Sequence, residues 1–158
     1  MTKLHHMRRL LTYLPLLLAS TLATRAQSVK PLIDSQTYTF TANTAHPEGS
    51  VARGLSNFKY TIRITKDTIV CGLPYWGRAS AATDDNQNPL NFTSSKFSYT
   101  IAPRKDGWKV SIRPKDTPTY VELQLVIGPD GYTSVSASFV NRDPISFDGA
   151  IATPENPN

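Results

Sequence analysis

Apolar and polar residues alternate along most of this chain with a period of two. Successive side chains of a β-strand point to opposite faces, so each alternating run predicts a strand with one apolar and one solvated face. No run keeps a helical period for longer than a turn or two, and a short helical turn is expected around Pro31–Ser35. The positions expected to face inward include Phe58, Tyr60, Ile62, Phe97, Tyr99, Trp108, Leu123, Leu125 and Phe139.

About eight strands are expected, separated by segments rich in Gly, Pro and short polar residues. The strongest turn signal is Gly128–Gly131, while residues 43–56 and 79–93 are expected to be long loops. Short turns favour antiparallel neighbours. The chain therefore predicts an all-β single domain, a meander of antiparallel strands curled into a sheet or open barrel, with a two-sheet β-sandwich as the alternative.

One hairpin, over residues 57–78, ends in the compact motif LPYWGR. Pro74 ends its second strand because proline cannot donate a ladder hydrogen bond. Aromatic side chains offer large contact area and arginine is favoured at interfaces, so Tyr75, Trp76 and Arg78 are candidate binding residues. The competing interpretation is that Tyr75 and Trp76 plug the end of the barrel while Arg78 stacks or caps.

The first 26 residues predict a secretory signal peptide. Lys3, Arg8 and Arg9 precede an apolar run over residues 10–23, and small residues up to Ala26 form a cleavage site. The run is too short to span a bilayer comfortably, and no cysteine follows it to carry a lipid anchor. We expect an exported protein of the periplasm, cell envelope or extracellular space, with its domain at residues 27–152 and a disordered tail at 153–158.

Removal of this leader changes the charge of the protein. The whole chain has a formal net charge of +5, but the leader holds four basic residues and no acidic one, which leaves 13 basic and 12 acidic side chains. Nucleic-acid binding needs a basic patch that neutralises phosphates. The mature chain contains no run of Lys or Arg, and this excludes a nucleic-acid partner.

Few residues of the mature chain could carry chemistry. Its single cysteine, Cys71, lies in an apolar strand and is interpreted as a small buried hydrophobe, and no internal disulfide is possible. Its single histidine, His46, falls in an expected loop, without a zinc-ligand spacing or a nucleophile-elbow pattern. The segment from Asp84 to Asn88 matches only the opening of a calcium loop. The sequence predicts no cofactor, no metal and no catalytic residue.

These features together are similar to those of a known family. The leader, the alternating strands, LPYWGR after Asp67-Thr68-Ile69, and the late segment from Arg142 to Gly149 resemble the domain of unknown function 4251 family, small exported proteins typical of Bacteroidetes. The resemblance covers roughly residues 30–152 and implies no assigned activity. Asp67-Thr68-Ile69 also resembles the acceptor sites of O-glycosylation in Bacteroidetes, which makes Thr68 a candidate glycosylation site; the alternative is that Thr68 merely begins a strand.

Three functions are compatible with these residues. The first is a non-enzymatic binding or envelope-associated domain whose partner is a protein, a glycan or a small molecule. The second is a small-molecule carrier of lipocalin type, against which the large inner side chains argue because they tend to fill a small barrel. The third is a hydrolase that uses His46 with an aspartate.

Overall fold

The fold is an all-β barrel-like sheet with one short helix. The computed structural model describes residues 28–79 and 88–154, of which strands make up most. The predicted signal peptide, most of the loop around Asp84 and the end of the predicted tail lie outside these residues. The elements are helix α1 (Val29–Ser35) and strands β1 (Tyr38–Pro47), β2 (Arg53–Gly54), β3 (Thr61–Ile64), β4 (Ile69–Gly72), β5 (Asn91–Ser94), β6 (Phe97–Arg104), β7 (Gly107–Pro114), β8 (Val121–Ile127), β9 (Tyr132–Phe139) and β10 (Ile145–Ala152).

All pairings between neighbouring strands are antiparallel, in the order β5-β4-β3-β1-β10-β9-β8-β7-β6, with β2 paired to β1. Apart from β2, the strands follow their order in the chain, except that the last strand, β10, pairs with the first, β1, and that β5 and β6 form the two edges. The prediction of an antiparallel meander that curls into an open barrel is confirmed.

The sheet curls because its two edge strands are consecutive in the chain. Only Ser95 and Lys96 join β5 at one edge to β6 at the other. A flat sheet of nine strands would be about 38 Å wide, whereas three Cα–Cα steps reach about 11 Å. The edges must therefore meet.

One carboxylate fixes the connection between the two edges. Asp116, in the turn after β7, accepts hydrogen bonds from the Ser94 hydroxyl and from the backbone N–H groups of Ser95 and Lys96. These bonds, led by the one from Ser94, hold the pKa of the Asp116 carboxyl below its usual value. The barrel is nearly closed at this seam without a hydrogen-bonded ladder between β5 and β6.

Large side chains occupy the interior. Alternate residues of most strands turn inward and lose nearly all contact with solvent, as the sequence pattern predicts. Strand β6 is the exception, because none of its residues is fully buried. The largest fully buried side chains are Tyr38, Phe40, Phe147, Ile33, Ile62, Ile64, Ile69, Leu73, Leu90, Ile112, Leu123 and Leu125.

The prediction for Phe58 is wrong. The strand expected from residue 57 begins only at Thr61, and Phe58 lies in the preceding loop with 62% of its surface exposed, where its ring packs against that of Tyr60. The expected loop over 43–56 is also wrong in part, because β1 continues to Pro47 and β2 pairs with it.

Candidate functional site

One end of the barrel is closed by helix α1, and we call it the helix end. The side chains of Val29 and Ile33 are buried there. The hydroxyl of Tyr99 donates to the carbonyl oxygen of Ile33 at 3.2 Å and lies 3.0 Å from the hydroxyl of Tyr38. Burial raises the pKa of both phenols, that of Tyr99 to about 12. Each buried hydroxyl has a partner, so this end is a satisfied structural closure.

The other end is closed by Leu73–Ala79, which contains the whole LPYWGR motif; we call it the motif end. This segment leaves β4 and reaches the turn between β9 and β10, thereby passing the positions of β3, β1 and β10 in the sheet. Leu73 and Pro74 are buried. The side-chain amide of Asn88 donates to the carbonyl oxygen of Leu73 at 2.7 Å and fixes where the segment begins. Asn88 belongs to the segment that matches the opening of a calcium loop, and its side chain makes a structural hydrogen bond instead.

Tyr75 anchors the middle of this segment. Its ring meets the inward-facing ring of Phe139 edge-on, with centroids 5.2 Å apart. Its hydroxyl donates to the carbonyl oxygen of Asp143 at 2.8 Å. Burial, followed by the nearby Asp143 carboxylate, raises the pKa of Tyr75. Gly77 is required at its position because a Cβ there would lie 2.2 Å from the Tyr75 hydroxyl oxygen.

Arg78 anchors the end of the segment through its backbone. Its N–H donates to the Asp143 carboxylate at 3.1 Å, and its carbonyl oxygen accepts from the N–H of Asp143 at 2.9 Å. The Arg78 side chain stays exposed. The segment is thus anchored on both sides of Trp76, by the side chain of Tyr75 and by the backbone of Arg78.

Trp76 is the residue that this frame presents outward. It retains 37% of its surface exposed, and the guanidinium of Arg53 lies over its ring at 4.9 Å from the centroid. Such a cation–π pair holds both side chains in place. The two interpretations of the motif therefore apply to different residues: Tyr75 closes the barrel, whereas Trp76 and the Arg78 side chain face solvent. Arg53 could not be identified from the sequence, because β2 is only two residues long.

The remaining candidates lie elsewhere. Thr68 follows the turn at Lys66-Asp67, its N–H donates to the hydroxyl oxygen of Thr65 at 3.0 Å, and its glycosylation stays a prediction. Cys71 is fully buried, and burial raises the pKa of its thiol to about 12, which keeps it unreactive at neutral pH.

His46 lies on the outer wall, in strand β1 and not in a loop. Its Nε2 is 2.9 Å from the Asp148 carboxylate, which also accepts a hydrogen bond from the Ser134 hydroxyl. No serine of the described residues is hydrogen-bonded to His46. Within residues 28–79 and 88–154, no cluster of three or more His, Cys, Asp or Glu side chains could hold a metal ion. No helix in this part of the chain is long and apolar enough to cross a membrane.

Comparisons with known proteins give a family and a fold. Residues 21–151 match the family described as domain of unknown function (DUF4251). A crystal structure of a DUF4251 family protein from Bacteroides eggerthii superimposes with a TM-score of 0.59 at 11% sequence identity, over 81% of this chain and 87% of that chain. None of the curated proteins matches.

Proposed function

The chain belongs to the DUF4251 family, and from that premise we propose that it is an exported, non-enzymatic domain that binds an envelope partner through Trp76, Arg53 and Arg78. Export rests on the signal-peptide pattern of residues 1–26. The fold and the family description are compatible with binding and assign no chemistry. The partner meets the motif end of the barrel.

The observation that carries this proposal is the exposure of Trp76 on a fixed backbone. A large aromatic that stays outside while its neighbours Leu73, Pro74 and Tyr75 turn inward does not serve the core. Binding hot spots are enriched in tryptophan, tyrosine and arginine, and a pre-organised surface loses little entropy when a partner binds. Trp76 with Arg53 and Arg78 supplies both properties.

The non-enzymatic part of the proposal rests on the surroundings of His46. A serine nucleophile is activated by a hydrogen bond to its base, which is in turn oriented by a third group. Here the third group, Asp148, is in place, but the hydroxyl of Ser134 donates to that same carboxylate and not to the histidine. The pair supports the wall of the barrel without forming a nucleophile.

The test is retention of envelope components by the immobilised mature domain. An envelope extract of the producing cells is passed over the wild type, Trp76→Ala and Val126→Ala, the control being an equally exposed residue on the wall. We expect at least one protein or glycan to be retained by the wild type and the control and lost with Trp76→Ala. Identical retention by all three proteins would refute a role for the motif end.

A further inference from the structure

A groove of about 270 Å³ lies on the outer wall where β9, β10 and β1 run side by side, close to the motif end. Three of its residues, His46, Ser146 and Ser136, lie directly opposite one another across the three strands. All three point outward because their neighbours along each strand are buried. The full lining consists of His46, Glu48, Ser136, Pro144, Ile145 and Ser146.

The polar groups of this groove are only partly used by the protein. The Asp148 carboxylate beside the groove is occupied by His46 and Ser134. The hydroxyls of Ser136 and Ser146 and the carboxylate of Glu48, in contrast, have no side-chain partner among the described residues. The exposed Ser136 hydroxyl, the half-buried Ser146 hydroxyl and the exposed Glu48 carboxylate are therefore open to a ligand.

The chemistry of the lining selects the ligand. Two hydroxyls can donate and accept, and the Glu48 carboxylate accepts only, so the groove suits a molecule with several hydroxyl donors. The exposed ring of Pro144 adds an apolar surface for a C–H face. The lining contains a carboxylate and neither Lys nor Arg, which disfavours an anionic ligand because like charges repel.

The volume of the groove limits the size of the ligand. Sites for drug-sized molecules span roughly 300–1,000 Å³, and this groove lies just below that range. We propose that the groove binds one neutral sugar ring, such as the terminal residue of an uncharged glycan. The site differs from the Trp76 surface in every residue, so either proposal can fail alone.

The experiment is a titration of the ¹⁵N-labelled mature domain with methyl glycosides of glucose, galactose, mannose and N-acetylglucosamine. Glucuronic acid serves as an anionic probe and a lysine-rich peptide as a cationic one. We expect at least one neutral glycoside to shift the amide signals of His46, Ser136 and Ser146, while glucuronic acid leaves them in place. The proposal would be overturned if only the peptide shifted these signals, or if none of the glycosides did.

Two matched variants separate binding at the groove from binding elsewhere. Ser136→Tyr fills the groove with a residue that strands accept, and we expect it to weaken glycoside binding at least about tenfold. Ser138→Tyr places the same ring two residues further along β9, outside the groove, and leaves binding unchanged. If Ser136→Tyr does not fold, the double variant Ser136→Ala/Ser146→Ala takes its place with the same expected loss. Undiminished binding by the groove variant would contradict the proposal.

Discussion

The two ends of the barrel are closed in different ways. At the helix end, α1 buries Val29 and Ile33, and the Tyr99 hydroxyl ties the helix to β1 and β6. At the motif end, a segment without regular structure is held by Tyr75 and Asp143 and leaves Trp76 outside. Closure of a barrel requires only apolar contacts and satisfied polar groups. The motif end also presents an exposed tryptophan, which closure does not require. This extra feature makes the motif end the candidate functional site.

The largest effect is expected at the helix end. Ile33→Ala removes a side chain with no exposed surface, so the free energy of unfolding should fall by about 2–5 kcal/mol. Denaturant titration measures this loss. Asp34→Ala, at the exposed neighbour paired with Lys30, is the control and should cost about 0–1 kcal/mol. Equal stability of the two variants would show that α1 does not close the barrel.

A smaller effect is expected from the tight contact at the motif end. A methyl group at residue 77 would collide with the Tyr75 hydroxyl and break its bond to Asp143, so Gly77→Ala should cost about 1–3 kcal/mol. Gly54→Ala is the matched control, since no atom lies within 4 Å of its added Cβ. Thermal unfolding of both variants checks the difference, which should vanish if Tyr75 does not anchor the segment.

The tyrosine pair at the helix end predicts an asymmetry. Tyr99→Phe deprives the buried Tyr38 hydroxyl of its partner and should cost about 1–3 kcal/mol, whereas Tyr38→Phe removes one bond and should cost about 1 kcal/mol. Denaturant titrations of the two variants give the comparison. A larger cost for Tyr38→Phe than for Tyr99→Phe would contradict the expectation that the buried Tyr38 hydroxyl depends on Tyr99 as its hydrogen-bond partner.

The same phenols predict a loss of stability in alkali. Their folded pKa values are raised above the ordinary value near 10, to about 12 for Tyr99, so they favour the folded state fully below pH 10 and progressively less above it. Stability measured from pH 8 to 12 should fall more steeply for the wild type than for Tyr38→Phe. Parallel curves would mean that Tyr38 ionises equally in both states.

The alternating pattern predicted most of the fold but could not reveal two features of it. Strand β1 buries Tyr38, Phe40 and Ala42 and then shifts register between Ala42 and Thr44, after which Ala45 and Pro47 face inward. This irregularity reverses the alternation, and for that reason the sequence pattern predicts a loop from residue 43 onward. Strand β5 was missed as well, because it is four residues long and only its pairing with β4 makes it a strand.

The motif was recognisable from the sequence, whereas the contacts that separate its residues were not. Tyr75 turns inward because it meets Phe139 and Asp143, and Asp143 is 68 positions along the chain. Arg53 reaches Trp76 through a strand of two residues that pairs beside the register shift of β1. No local pattern reports contacts of such separation.

The most direct test of this account compares the stabilities of Tyr75→Ala and Trp76→Ala by denaturant titration. Tyr75 packs into the motif end and donates a hydrogen bond, so its loss should cost about 2–4 kcal/mol. Trp76 lies outside the core and pairs with the Arg53 guanidinium, so its loss should lower the free energy of unfolding by only about 0.5–1 kcal/mol. A cost for Trp76→Ala equal to that for Tyr75→Ala would contradict the account, because both aromatics would then serve closure alone.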